Sequence, residues 1–339
     1  MTTLCITGVG GFIGLAMAKR ALSLGWQVQG MDISEPAAAR ARALGIRVVV
    51  GDINDADAVS SAASNADVVF HTAAIVEEDG AREDYERVNV EGTRTVCEAA
   101  RTVGVKRVVH LSSVMVFGFD YLPEISEDGP LDGQGNVYND SKLASERVAM
   151  SFNDPEHGFG VIVIRPGDVY GPGSIPWVIR PIELLKQGVF MLPDNGRGVI
   201  NHVHVENLID GVLLAIQQDA CGEAFTITDG LATPSRVFFK THALIAGTRL
   251  PTAPTWVLKA LLTALGPAYR AVGKKPPASP EAMKFLLRKH RYSIAKAQRL
   301  LGYTPRIRLS EGMAELLADA QLNPSKPAAK PKPILKGYK

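Results

Sequence analysis

From Gly8 to Gly14 the chain reads Gly8-Val9-Gly10-Gly11-Phe12-Ile13-Gly14, four glycines in seven residues. A short apolar run, Leu4–Thr7, leads into this stretch, and a helical pattern, Gly14–Leu24, follows it. No other feature restricts the fold as strongly. A strand that turns through glycines into a helix presents bare amides at the helix N-terminus, which favours a bound phosphate. Gly8 allows a tight turn, Gly11 lets backbone approach a pyrophosphate, and Gly14 lets the helix pack close to the strand. The next strand ends in Asp32. An acidic group about 20 residues beyond such a loop is suited to an adenosine ribose diol. Its charge repels a 2′-phosphate, so NAD is expected ahead of NADP. Asp52, after a third strand, is expected at the adenine edge.

The first half of the chain alternates between two periods. Strands are expected at Leu4–Thr7, Gln27–Met31, Arg47–Val50, Val68–Thr72, Val108–Leu111 and Val161–Ile164, with helices such as Gly14–Leu24, Tyr85–Val103 and Tyr138–Phe152 between them. Near-continuous apolar strands are buried on both faces, so the fold class expected is α/β, a doubly wound parallel Rossmann sheet. Beyond Pro166 the prolines cluster and helical patterns dominate. The expected organisation is a dinucleotide-binding domain over 1–165, its core continuing into later strands. A smaller, mostly helical substrate region over 166–322 then forms the other wall of the pocket, and a disordered Pro- and Lys-rich tail covers 323–339.

The net charge of +2 points to neither nucleic acid nor a highly charged partner. Cys5, Cys97 and Cys221 are odd in number, widely separated and without a Cys-x-x-Cys spacing. They indicate a reducing compartment, hence the cytoplasm, and no disulfide frame or zinc site. No basic segment followed by an apolar one opens the chain, and no apolar run is long enough to span a bilayer.

The stretch Val137–Glu146, "VYNDSKLASE", places Tyr138 and Lys142 four residues apart, on one face of a helix. A free tyrosine titrates near ~10 and is a poor base at neutral pH. A neighbouring ammonium favours the phenolate and suits the pair to exchange a proton with an alcohol or carbonyl. Ser113 follows the expected fifth strand, at the carboxyl edge where ligands bind, and is read as the hydroxyl that holds the substrate oxygen. Ser112, a common type of capping residue, is left out of the catalytic set.

These motifs come in a recognisable order. "TGVGGFIG", "HTAA" (His71–Ala74), "VNVEGT" (Val88–Thr93), "LSSVMVFG" (Leu111–Gly118), "YNDSK" (Tyr138–Lys142) and "RPGDVYGPG" (Arg165–Gly173) resemble the motif series of extended short-chain dehydrogenases/reductases, the NAD-dependent epimerase/dehydratase superfamily. The resemblance runs from about Thr3 to Leu317. It implies a catalytic set of Ser113, Tyr138 and Lys142. It implies that Gly8, Gly11, Phe12, Ile13 and Gly14 carry the pyrophosphate, that Asp32 holds the ribose, and that Asp52 and Ile53 flank adenine. Ala73 and Ala74 would line the cofactor cleft, with Asn89 supporting them. Tyr138 and Lys142 would also meet the cofactor, and Pro166 and Val169 would sit beside the carboxamide. The resemblance further suggests a homodimer built on the Tyr85–Val103 and Tyr138–Phe152 helices. Two positions depart from the pattern: Phe117 stands where many relatives have Tyr, and Asp168 where Asn is common.

Family members oxidise alcohols, reduce ketones, epimerise sugars or dehydrate them. Dehydration is set aside because Val114 and Met115, which follow Ser113, can act as neither acid nor base. Epimerisation of nucleotide sugars needs an anion site, for which Arg180, Arg197, Arg236 and Arg249 are available. Against it stands Thr255–Val272, almost wholly apolar and interrupted by Gly266-Pro267. Such a segment reads first as a buried helix, then as a lid over a greasy substrate or an element lying on a membrane surface. It resembles the corresponding region of the 3β-hydroxysteroid dehydrogenase-like branch. The expected substrate is therefore a hydrophobic alcohol or ketone, a steroid or long-chain keto compound. The alternatives are a nucleotide-sugar epimerase and a non-catalytic dinucleotide sensor, the latter disfavoured by the Ser/Tyr/Lys set. His202 and His204 alternate on a probable strand with Glu206 next in register, but no further ligand cluster accompanies them, and no metal is expected.

Overall fold

The computed structural model describes residues 1–76, 80–271 and 280–322, with the side chains of 265–271 and 280–282 left aside. The apolar alternation of the first half becomes a seven-stranded, all-parallel sheet. Its strands are β1 (Thr3–Thr7), β2 (Gln27–Asp32), β3 (Arg47–Val50), β4 (Val68–His71), β5 (Arg107–Leu111), β6 (Gly160–Pro166) and a seventh, Ala224–Ile227. In space they run Ala224–Ile227, β6, β5, β4, β1, β2, β3. Every residue of β4 and β6 is buried, as expected of strands covered on both faces. The order reverses between β1 and β4, and such a switch point opens a crevice beyond the carboxyl ends of the strands.

The helices are α1 (Phe12–Ser23), α2 (Glu35–Arg42), α3 (Ala56–Ala63), α4 (Arg82–Tyr85), α5 (Gly92–Thr102) and α6 (Val137–Ser151). On one face of the sheet, Val59, Val96 and Cys97 of α3 and α5 pack with Cys5, Val69, Val108 and Val161 in one core cluster. Asp55 caps α3 by accepting from the Asp57 and Ala58 amides, and Asn136 caps α6 by accepting from the Asn139 amide. The expected continuous helix Tyr85–Val103 is corrected: it begins at Arg82 and carries a π-helical turn over Glu86–Glu91. The widened turn changes which side chains face the sheet, which a count at 3.6 residues per turn cannot register.

Two compact units emerge. The first holds Met1–Asp168 and takes back Asn201–Ala232 and Arg288–Arg306. The expected boundary at 165 falls beside the first crossing, but the chain returns twice, bringing in the seventh strand. The second unit holds the described parts of 169–200, 233–287 and 307–322. It is largely helical around a core of Tyr170, Val178, Leu192, Ile200, Phe238, Phe239, Met313 and Leu316. Within it, Phe238 meets Tyr170 and Phe239 edge-on, and His242 donates to the Trp177 carbonyl at 2.8 Å. Burial holds the His242 imidazole down at about 4, so it stays neutral there.

The apolar segment Thr255–Val272 forms a helix over Thr255–Ala271. Its first reading, a buried helix, is corrected: none of residues 255–264 is buried, and Trp256 is 74% exposed. Composition reports how apolar a segment is, not whether a core is present to receive it. Among the described residues no helix is long and apolar enough to cross a membrane. The tail 323–339 lies outside the described residues.

Candidate active site

The glycine loop is built from two constraints. Gly8 takes a left-handed turn, φ +70°, which L side chains rarely adopt. A Cβ on Gly14 would lie 2.3 Å from the Gly8 carbonyl oxygen, so only glycine lets α1 seat against the loop. Gly11 is the N-cap of α1. No side chain caps this helix and no acidic residue stands in its first turn. Its leading amides, at Phe12, Ile13 and Gly14, are left for an anion. Asp32, the last residue of β2, accepts from the Gly10 amide at 3.1 Å and the Ser34 amide at 3.0 Å. Arg40 closes the other side by donating to the Gly10 carbonyl at 2.8 Å. Gly10 and Arg40 were not singled out in the sequence, because their roles depend on α2 lying over the loop. Burial raises the Asp32 carboxyl, opposed by these amides and by Arg40.

Asp52 follows β3, accepts from Asn54 and pairs with Arg87 at 3.4 Å. The Ile53 side chain is buried in the core cluster and faces Gly92 of α5. Ala73 and Ala74 form the half-buried loop after β4. Asn89, on the π-helical turn, clamps that loop: its side chain accepts from the Ile75 amide (2.7 Å) and donates to the Ile75 carbonyl (3.0 Å) and to Ser141 Oγ (2.9 Å). Ser141 in turn donates to the Tyr138 carbonyl. A second chain of bonds joins the loops from below. Thr93 donates to the Asn89 carbonyl, so its oxygen accepts from His71 Nε2, and His71 Nδ1 accepts from Thr7. His71 is held neutral, down at about 3, by burial and secondarily by Lys142.

Ser113 stands one residue past the end of the Ser112 bond to Ile164 and caps a 3₁₀ turn, Val114–Phe117. Its hydroxyl accepts from the Met115 amide at 3.1 Å. Tyr138 is half-buried in the first turn of α6, and Lys142, one turn on, is buried. The Lys142 Nζ donates to the Leu111 carbonyl at 2.5 Å. The expectation that Lys142 draws the phenol down is therefore corrected in detail. The ammonium is turned toward β5, and burial raises Tyr138, with Asp168 raising it further and Ser113 opposing. Burial lowers Lys142 itself to about 8, against the pull of the Glu146 carboxylate.

Both departures from the expected motif have partners within the first unit. Asp168 forms a buried ion pair with Arg288 and accepts from the Asn201 amide at 2.9 Å. Phe117 lies under the Arg165 guanidinium (5.1 Å) and stacks on Tyr292 (5.7 Å). Neither Arg288 nor Tyr292 was visible as a partner, being more than a hundred residues away in sequence. Pro166 ends β6, opposite Ile227. Val169 is buried at the start of the second unit. The histidine reading is also corrected: His202 is bonded to Asp229 at 2.7 Å, His204 accepts from the Glu206 amide, and Glu206 lies on the helix Val205–Gln217, not on the strand.

The profile of the NAD dependent epimerase/dehydratase family covers residues 4–228. The chain is 30% identical over 331 residues to a 3-beta-hydroxysteroid dehydrogenase of Mycolicibacterium neoaurum, covering 92% of this chain and 89% of that one. It is 28% identical over 323 residues to a 4-hydroxy-2-methyl-3-oxo-4-farnesyl-3,4-dihydroquinoline-1-oxide ketoreductase of Stigmatella aurantiaca, covering 92% and 94%. Among solved structures, MoeE5 in complex with UDP-glucose and NAD superimposes with a TM-score of 0.76 at 26% identity, covering 95% of this chain and all of that one.

Proposed function

Because the chain belongs to the NAD dependent epimerase/dehydratase family, an NAD-dependent group of enzymes, we propose that it interconverts a secondary alcohol and a ketone on a hydrophobic substrate. The observation that supports this reading is that α6, which bears Tyr138 and Lys142, is tied to the end of β5 next to Ser113, with Lys142 donating to the Leu111 carbonyl. The uncapped N-terminus of α1 and the Asp32 carboxylate fit the cofactor on the same edge of the sheet. The steroid and farnesyl-quinoline relatives support a lipophilic substrate, and Val114 and Met115, which can act as neither acid nor base, argue against dehydration.

In this reading Gly8, Gly11, Phe12, Ile13 and Gly14 hold the NAD pyrophosphate, and Asp32 the ribose. Asp52, Ile53, Ala73 and Ala74 line its path, with Asn89 behind them, and Pro166 and Val169 serve the carboxamide. Bound NAD supplies the hydride acceptor. Ser113 donates a hydrogen bond to the substrate oxygen. Tyr138 exchanges the proton at that oxygen, taking it in oxidation and returning it in reduction. Lys142, its ammonium seated on the Leu111 carbonyl, holds α6 against the end of β5 and would offer a hydrogen bond toward the nicotinamide ribose. Residues 255–264 of the helix Thr255–Ala271, none of them buried and Trp256 74% exposed, would offer a greasy substrate, or a membrane surface that holds it, an apolar contact. The α4–α5 and α6 faces serve a homodimer.

The test offers NAD and NADP with hydroxysteroids, long-chain keto compounds and UDP-sugars, followed at the nicotinamide absorbance. Turnover on a lipophilic alcohol or ketone, abolished by Tyr138→Phe with NADH binding intact, is expected. Epimerisation of a UDP-sugar without net absorbance change refutes the substrate class. Turnover that survives Tyr138→Phe refutes the proton-transfer role.

A further inference from the structure

Three consecutive residues at the end of β5 are bonded to α6. His110 Nε2 meets Ser145 Oγ at 3.2 Å, the Leu111 carbonyl accepts from Lys142, and Ser112 Oγ donates to Glu146 at 2.7 Å. The fourth residue is Ser113. These three bonds tie the strand end that carries Ser113 to the helix that carries Tyr138. The last of them ends on a carboxylate that is 5% exposed. Arg165, from β6, holds that carboxylate from the other side through Nε at 3.0 Å and Nη2 at 2.5 Å.

We propose that Glu146 is a positioning residue for the reaction: it clasps the Ser113 strand end to α6 through Ser112 and is the counter-charge of Lys142. The proposal rests on the Ser113, Tyr138 and Lys142 roles given above. The charges around the pair support it. From the sheet, Lys142 faces His71 and His110, both kept neutral by burial, and its own helix supplies Tyr138 and Glu146. Of these four groups, Glu146 alone carries a carboxyl. Burial pushes the Lys142 ammonium toward its neutral form, and Glu146 opposes that push. Glu146 itself is held by three donated hydrogen bonds, two of them from the Arg165 guanidinium. A cavity of about 290 Å³ reaches Glu146 and Arg165 and is also lined by Glu127, Asp128, Arg147, Glu223 and Lys296. Glu223 and Lys296 pair with each other at 2.7 Å, and Glu127 accepts from the Thr226 amide. Ser112, set aside as a capping residue in the sequence, belongs to this clasp.

The direct test is NMR titration of lysine side-chain amines in the NAD-loaded full-length enzyme, the Lys142 signal being assigned by its loss in Lys142→Met. In Glu146→Gln, Lys142 is expected to titrate at least about one unit lower than in wild type. Ser112→Ala keeps both charges and is expected to fold. It should leave the Lys142 titration in place and lower kcat several-fold on the most active steroid or keto compound, with KM for NAD unchanged. An unmoved Lys142 titration in Glu146→Gln, or wild-type kcat in Ser112→Ala, overturns the proposal. Persistence of turnover in Tyr138→Phe instead overturns the catalytic assignment, a result that the lysine titration does not depend on.

Discussion

Replacing Lys142 with Met should make the protein more stable and inactive. In the folded chain the amine is buried and lowered to about 8 from its ordinary value of 10.5. At pH 7 both the folded and unfolded states carry the proton, and the difference costs the folded state on the order of 3 kcal/mol. Met keeps the apolar stem and removes the charge. It also leaves the Leu111 carbonyl without its donor, a loss of about 1 kcal/mol. The net expectation is about 2 kcal/mol of added stability at pH 7, a rise of a few degrees in Tm. The sign reverses with alkali. Between pH 8 and 10.5 the unfolded chain binds more protons at this site, so wild type gains on the variant as the pH rises, and the advantage of Met fades toward 10.5. Thermal and denaturant unfolding at pH 7, 9 and 10.5 measure this, with turnover assayed alongside. A variant that is less stable than wild type at pH 7, or an advantage that does not shrink with pH, would show that the buried ammonium is not under strain, and the reasoning fails.

The Asp168–Arg288 pair should behave as a coupled unit. Asp168→Asn or Arg288→Met alone removes one side of a buried ion pair and should cost about 3–5 kcal/mol, whereas the double variant should lie close to wild type. A denaturation double-mutant cycle with no coupling refutes this. Arg288→Met should lose stability as the pH rises above the ordinary carboxylate range, because burial raises the Asp168 carboxyl and disfavours the charged form; Asp168→Asn lacks that slope, and equal slopes in the two variants count against the assignment. Gly14→Ala forces a Cβ against the Gly8 carbonyl and should weaken NADH binding more than tenfold by fluorescence titration; unchanged affinity refutes the close-approach argument. Asp32→Ala should weaken NAD roughly 10–100-fold and NADP far less, by the same titration; equal losses for both would remove Asp32 as the discriminating group.

The parallel sheet was legible because buried strands write their own pattern, and the ends of β1 and β5 were legible because glycines and serines stand there. Tyr138 and Lys142 could be paired from spacing along one helix. What the local pattern did not carry was distance. Asp168 looked like an anomaly until Arg288 was placed beside it, and Ser112 looked like a cap until Glu146 and Arg165 closed on it. The seventh strand, Ala224–Ile227, is four residues within a helix-rich half, too short to announce itself. The apolar character of Thr255–Val272 was evident, but its placement depends on surroundings that composition does not encode. The π-helical turn escaped for a related reason: an extra residue in a turn changes facing without changing residue type.

The late return of Arg288–Arg306 to the first unit has a bearing on biosynthesis. A nascent chain leaves the ribosome from its N-terminus, and domains generally fold in that order. Here the glycine loop, Ser113 and Tyr138 all emerge early, yet Asp168 waits 120 residues for Arg288, and Phe117 waits longer for Tyr292. The dinucleotide unit therefore cannot complete its interior during synthesis of its own N-terminal half. Both long stretches of the second unit, 169–200 and 233–287, are translated before that closure occurs. A stalled or truncated product ending before Arg288 carries all of the proposed catalytic residues on an unfinished scaffold. Quality control would meet it as an open, incompletely neutralised core.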